Sequence, residues 1–132
     1  VLFRSGVKMK QVIYTKNAPE PIGPYSQAIL VNDTLYASGQ IAINPATGEF
    51  ADADIKTQTE QVCKNIEEIL KAADMKFENV VKTTCFLAFI SDFKKFNTIY
   101  EKYFVSNPAR SCVAAKELPK NALVEIEIIA VK

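Results

Sequence analysis

Histidine is absent from all 132 residues. That removes the commonest general base and the commonest metal ligand together, so any catalysis must draw on carboxylate, Tyr, Cys, Ser, Lys, Arg or backbone groups. Cysteine is scarce: Cys63, Cys85 and Cys112 are odd in number and show no C-x-x-C spacing. A disulfide framework and a zinc site are both disfavoured, and a reducing compartment fits. No apolar run approaches the roughly 18 residues a membrane span needs. No signal-peptide pattern is visible, so a cytoplasmic protein without a membrane partner is expected. An excess of one charge is lacking too, with 16 basic residues against 15 acidic. Such a near-neutral chain has no general field to attract polyphosphate, which argues against nucleic acid as the main partner. There is no internal repeat and no low-complexity segment.

The length suits one domain able to bury a core without staples. Residues 1–8 precede Met9, after which the pattern becomes regular. They read as an expression remnant or an untidy extension, leaving a single domain over residues 9–132. Gln11 to Thr15 is β-like, and the Pro-rich stretch from Ala18 to Pro24 can be neither helix nor central strand. Tyr25 to Val31 and Thr34 to Ser38 are β-prone, joined by Asn32-Asp33, a pair that tolerates the positive φ of a two-residue hairpin turn. Gly39 interrupts the second of these runs, which suggests a bulge or a close backbone approach to something else, a ligand among the options. Ile41 to Ile43 continues extended, and residues 44–48 form a turn.

From Asp54 to Asp74 the period changes, with Ile55, Thr59, Val62, Ile66, Ile69 and Ala73 at steps of three and four, predicting an amphipathic helix. Val80 to Ile90 reads as a strand. Ser91-Asp92 supplies N-cap chemistry for a second helix to about Phe104, striped by Phe93, Phe96, Tyr100, Tyr103 and Phe104. Asn97 falls on that stripe and needs a hydrogen-bond partner.

The last quarter reads as a hairpin, Pro108 to Val113 and then Leu123 to Val131. Alternation puts Val124, Ile126, Ile128 and Ala130 on one face, and Leu123, Glu125, Glu127, Ile129 and Val131 on the other. Two carboxylates in a strand apolar on both faces need partners, and Arg110, on the strand taken to face them, is the candidate. With a turn near Leu118 and Pro119, antiparallel pairing would set Cys112 opposite Glu125 and Arg110 opposite Glu127, gathering Arg110, Cys112 and Glu125 into one neighbourhood. The order of elements predicts an α+β fold, a mixed β-sheet with two helices on one face. The apolar second face predicts a homo-oligomer closed by sheet packing.

Seven segments in this order resemble the small RidA (YjgF) family of reactive-intermediate deaminases: Ile22 to Ala28, Ala37 to Ile41, Asn44 to Glu49, Val81 to Thr84, Pro108 to Val113, Leu118 to Lys120 and Val124 to Ile128. The resemblance implies a chorismate-mutase-like fold and a homotrimer with the sheets packed around the axis and clefts between subunits. It implies hydrolysis of 2-imino and 2-enamino acids, among them 2-aminoacrylate, 2-iminopropanoate and 2-iminobutanoate, to 2-oxo acids and ammonia, with no metal or organic cofactor. Carried over residue by residue, the carboxylate-binding arginine falls on Arg110 and the water-positioning glutamate on Glu125. The cleft-lining groups fall on Tyr25, Ser38, Gly39, Asn97 and Cys112. One departure is visible: Phe104 to Pro108 is shorter than in many relatives and has polar Asn107 before the proline.

Each candidate has a plainer reading. Arg110 could form a salt bridge to Glu125 or Glu127, and Glu127 could be a structural or rim carboxylate. Cys112 could be a nucleophile, its pKa lowered by the nearby arginine, or a buried hydrophobe; Cys63 and Cys85 read as core. Tyr25 could be an ordinary strand-start aromatic and Asn97 a helix-packing amide. Two other functions compete with the deaminase: a non-catalytic sensor or regulator binding small carboxylates, and a ribonuclease or translation inhibitor. The last lacks a basic run, an aromatic RNA-binding motif and a histidine.

Overall fold

The computed structural model describes residues 9–132; the reading of residues 1–8 lies outside the described residues. The chain runs β1 (Lys10–Ile13), β2 (Ala28–Val31), β3 (Thr34–Gln40), α1 (Ile55–Ala72), β4 (Val80–Leu87), α2 (Phe93–Tyr103), β5 (Ala109–Ala114) and β6 (Val124–Val131). All strands join one six-stranded sheet in the order β1-β2-β3-β6-β4-β5. The expected α+β class, with two helices over one face of a mixed sheet, is what the chain adopts.

The β2–β3 hairpin turns on Asn32-Asp33, with Val31 paired to Thr34 and Asn32 at φ 53, a conformation that asparagine tolerates better than most residues. Helix α1 starts at Asp54, whose carboxylate accepts from the Thr57 amide at 2.9 Å. Its buried stripe, including Val62, Ile66, Ile69 and Leu70, packs on β3 and β6. Each such aliphatic side chain contributes roughly 1.5–3 kcal/mol through burial. Helix α2 packs on α1.

Three expectations are corrected. β5 and β6 do not form a hairpin, because β4 lies between them. β5 runs parallel to β4, with Thr83 beside Arg110 and Cys85 beside Cys112, while β6 runs antiparallel to both β3 and β4. Burial explains the order: Val124, Ile126, Ile128 and Ala130 are at most 2% exposed, so β6 gains most from a central place. β5, with no fully buried residue, takes the edge. The strand expected to reach Ile90 ends at Leu87, and the chain then tightens into a 3₁₀ turn over Ile90–Asp92. Asp92 therefore enters α2 already helical, at φ −84 and ψ −3, and makes no side-chain cap bond.

Residues 41–43 carry no regular strand, only a bridge from Ile43 to Phe50. The buried Asn65 holds them to α1, donating to the carbonyls of Ile41 at 3.2 Å and Ile43 at 3.0 Å. Asn65→Ala strands the Ile43 carbonyl in a site that excludes water. We expect it to cost about 1–3 kcal/mol in urea unfolding with an unchanged slope; a loss below about 0.5 kcal/mol would show that this tether does not matter.

Candidate functional site

The expected neighbourhood of Arg110, Cys112 and Glu125 divides in two. In β6 the helix side takes Val124, Ile126 and Ile128, so Glu125 and Glu127 point to the open face. In β5, Arg110 pairs with the fully buried Thr83 and therefore points to the helix side. Glu125 pairs with Phe86, three residues along β4 from Thr83. Its Cα thus lies two strand spacings and three residues from that of Arg110, roughly 14 Å away, with the two side chains on opposite faces. This removes the salt-bridge reading of Arg110 within the chain. Among the described residues, the ion pair present is Lys71 with Glu68 on α1.

On the open face, the β3 ladder shifts register between Ala37 and Gln40, a bulge that carries Ser38 and Gly39. The close approach expected at Gly39 is to Glu125: a Cβ there would clash with the carboxylate Oε2. Glycine is required here for space, so that the carboxylate can lie against the bulge. The Glu125 pKa is raised, first by burial and then by repulsion from Glu127. Glu127 itself is exposed, in keeping with a rim position.

Tyr25 stands at the edge of the same cleft, its hydroxyl accepting from the Ile22 amide at 3.2 Å. The Pro-rich loop that carries it is clamped by Gln27, which sequence reading passed over. Gln27 accepts from the Thr15 amide at 2.7 Å and donates to the carbonyls of Thr15 and Pro19, each at 2.9 Å. The Ser38 hydroxyl donates to the Ser26 carbonyl at 2.6 Å, so its proton is committed to the backbone. The resulting cleft, about 340 Å³, is bordered by Ile22, Tyr25, Gly39, Ile41, Lys120 and Glu125.

On the helix side, Asn97 has the partner that its place on the α2 stripe demanded. Its Oδ1 accepts from Arg110 Nη1 at 2.8 Å. The guanidinium also lies over two rings, 4.7 Å from the centroid of Tyr100 and 5.3 Å from that of Phe93. The segment before β5 is tied down by Ser106, whose hydroxyl donates to the Val80 carbonyl at 2.9 Å. Asn107 takes φ 51 at the bend. Arg110, Asn97, Tyr100 and Pro108 border a second hollow of about 350 Å³.

Cys112 follows on the same face as Arg110. Burial raises its thiol pKa, and the opposing pull of Arg110 does not overcome it. The lowered pKa expected from the arginine is therefore not found, and the group is a poor thiolate source at neutral pH. Cys63 and Cys85 are fully buried, as expected of core cysteines, and burial pushes Cys85 up to about 12. No cluster of three metal-ligating side chains occurs among the described residues. Among the described residues no helix is long and apolar enough to cross a membrane.

Fold and geometry define a small α+β domain with a half-buried arginine at one sheet edge, held by neutral groups, and a partly buried carboxylate in a cleft on the other face. The profile of the family described as Endoribonuclease L-PSP matches residues 15–132, and the chain belongs to that family, the YjgF/RidA family of the resemblance. Over 125 residues it is 48% identical to the human protein named 2-iminobutanoate/2-iminopropanoate deaminase, covering 94% of this chain and 91% of that one. A Lactococcus lactis protein with the provisional name regulator AldR is 56% identical over 121 residues, 91% of this chain and 96% of its own. Among solved structures, the Rid-family protein YyfA of Yersinia pestis superposes with a TM-score of 0.91 at 53% identity, over 94% of this chain and all of that one.

The raised Glu125 pKa has a stability consequence. Between the ordinary carboxyl value of 4.5 and its own higher value, Glu125 keeps its proton in the folded state while the unfolded state has released it. Stability therefore falls as pH rises through that window, and the ionised group is a net cost above it. Glu125→Gln should melt higher than the parent chain at pH 7, with the advantage shrinking as pH falls through that window toward 4.5 and levelling off below it. A variant that melts lower at pH 7 would contradict this.

Proposed function

We propose that this chain is a hydrolytic deaminase that converts reactive 2-imino and 2-enamino acids, of the 2-aminoacrylate, 2-iminopropanoate and 2-iminobutanoate type, to 2-oxo acids and ammonia. The observation that carries the reading is the state of Arg110. Its guanidinium is held by an amide oxygen and two ring faces, all neutral. A half-buried cation ordered in this way without a carboxylate partner is prepared for an anion from outside, and a planar fork suits a substrate carboxylate.

The chemistry asks little more. Water adds to the imine carbon, the carbinolamine expels ammonia, and the carbonyl of the 2-oxo acid remains. Glu125 is the group to take a proton from the water and return it to the departing nitrogen, and a raised pKa brings a carboxyl nearer the pH at which such a relay works best. Gly39 keeps that carboxylate in place, Tyr25 borders the cleft, and Ser38 ties the bulge to the loop. Asn97 orients Arg110. Cys112, protonated, serves as wall rather than nucleophile.

Since one chain holds the arginine and the carboxylate on opposite faces, the reading further requires each site to form between two subunits. The open sheet face supports this: Val12, Ile29, Tyr36 and Ile129 align across β1, β2, β3 and β6, with Val12 59% and Tyr36 50% exposed. An apolar row of that kind belongs at an interface. We take the assembly to be a homotrimer, with a 2-imino or 2-oxo acid as the small-molecule partner and a cytoplasmic setting that suits the free thiols. The provisional name of the Lactococcus relative favours a second reading, a carboxylate-binding regulator using the same Arg110 without turnover. The family description raises RNA cleavage, which the near-neutral charge and absent histidine do not favour.

Ammonia release from freshly generated 2-iminobutanoate tests the assignment. Glu125→Ala should lower kcat by about 10²-fold or more. Arg110→Ala should raise KM by roughly 10-fold or more, the loss of a charge-assisted hydrogen bond. Both variants should keep the parent's sedimentation behaviour. Full activity in both would refute the proposal, and Arg110-dependent binding of 2-oxobutanoate with no turnover would establish the regulator instead.

A further inference from the structure

Beneath Arg110 lies a closed frame of three residues. Thr83 is the backbone neighbour of Arg110 across the β4–β5 pair. The Thr83 hydroxyl is hydrogen-bonded to the Tyr100 hydroxyl at 2.7 Å in the buried interior. The Tyr100 ring, 8% exposed, lies against the guanidinium with its centroid 4.7 Å from Cζ, completing the circuit. On its other side the ring is fixed by Phe104, stacked at 4.3 Å and 20°.

As packing alone this is uneconomical. A phenol and a threonine hydroxyl in a core gain little over a phenyl ring and a valine of the same shape, because replacing both partners of a buried hydrogen bond by apolar groups is close to neutral. What the hydroxyl pair adds is a fixed ring position. A ring that cannot slide presents its π-face at one height beneath the guanidinium, and Asn97 then fixes rotation within that plane through Nη1.

We propose that Tyr100, locked by Thr83, is a positioning residue that sets the plane of the Arg110 guanidinium so that its fork meets the carboxylate of a 2-imino acid. The inference rests on the deaminase reading above for the identity of the substrate. It concerns the arginine's orientation, which carboxylate binding reports separately from turnover.

Tyr100→Leu removes the π-face and should raise KM for 2-iminobutanoate roughly 3- to 30-fold, the range of a cation–π contact, with kcat within about twofold of the parent. Thr83→Val with Tyr100→Phe keeps the ring and releases the lock. That double variant should unfold at the parent's urea midpoint yet raise KM by a smaller factor than Tyr100→Leu. Arg110→Lys in the parent should cost much more than in the Tyr100→Leu background, because a lysine neither stacks nor forks and has less to lose there. An unchanged KM in Tyr100→Leu, or an equal cost of Arg110→Lys in both backgrounds, overturns the proposal. Should Tyr100→Leu fail to fold, an unchanged KM in the double variant overturns it alone. If the parent chain releases no ammonia, the deaminase reading falls, and the frame is judged on the Kd for 2-oxobutanoate by the same ratios. Absence of 2-oxobutanoate binding to the parent would then sink both.

Discussion

The parallel pairing of β5 with β4 is the constraint on which the rest depends. Because paired residues in neighbouring strands share a face, setting Arg110 beside the buried Thr83 commits the guanidinium to the helix side. The alternation of β6 commits Glu125 to the other side. No side-chain rotation brings the two together across the intervening strand. Arg110 and Glu125 therefore border separate hollows of one chain, and chemistry that needs both residues needs a second copy of the chain.

Each half is organised at some expense to the isolated fold. Glu125 lies against the Gly39 bulge in a place that raises its pKa, and Arg110 is ordered without a counter-ion. Ionised Glu125 is a net cost to the isolated fold above its raised pKa. The scaffold around them is correspondingly well tied. Buried amides do much of this: Gln27 clamps the Pro-rich loop, Asn65 holds residues 41–43, and Gln58 accepts from the Leu123 amide at the entrance to β6. Amides suit the task because one side chain both donates and accepts, satisfying irregular backbone that no sheet ladder reaches.

Periodicity made the fold legible to a large degree. The helical repeat from Ile55 and the Asn32-Asp33 turn are local signals, and both are read correctly from neighbours in the chain. The face of Glu125 was also visible, as was the need for a partner at Asn97. Strand order was not, because it depends on which strand gains most from the centre of the sheet. A turn-like segment between two β-prone runs invites the hairpin reading, while the burial that places β4 between them is a property of the whole sheet. That single misplacement led to the expectation of Arg110 and Glu125 as near neighbours. Tyr100 was legible as packing and no more, since its contact with Arg110 depends on β5 lying parallel to β4. The resemblance to the RidA family supplied roles that spacing alone could not. Gln27 left no pattern to find: an amide near the start of a β-prone run looks like solvent-facing polarity until Thr15, Ala18 and Pro19 close around it.

In the proposed assembly one subunit supplies the arginine and its neighbour the carboxylate. Mixing Arg110→Ala and Glu125→Ala chains in equal amounts, after dissociating and reassembling them together, tests it. Every chain then lacks one group, but an interface that joins the intact arginine of one variant to the intact glutamate of the other is whole. Random assembly makes about one site in four of that kind, since each side is a one-in-two choice. At substrate well below KM, the prediction is recovery of about a quarter of the parent's ammonia release from two preparations that are each strongly impaired alone. Activity that stays at the level of the separate variants, in mixtures shown by mass spectrometry to contain hybrid oligomers, would contradict it.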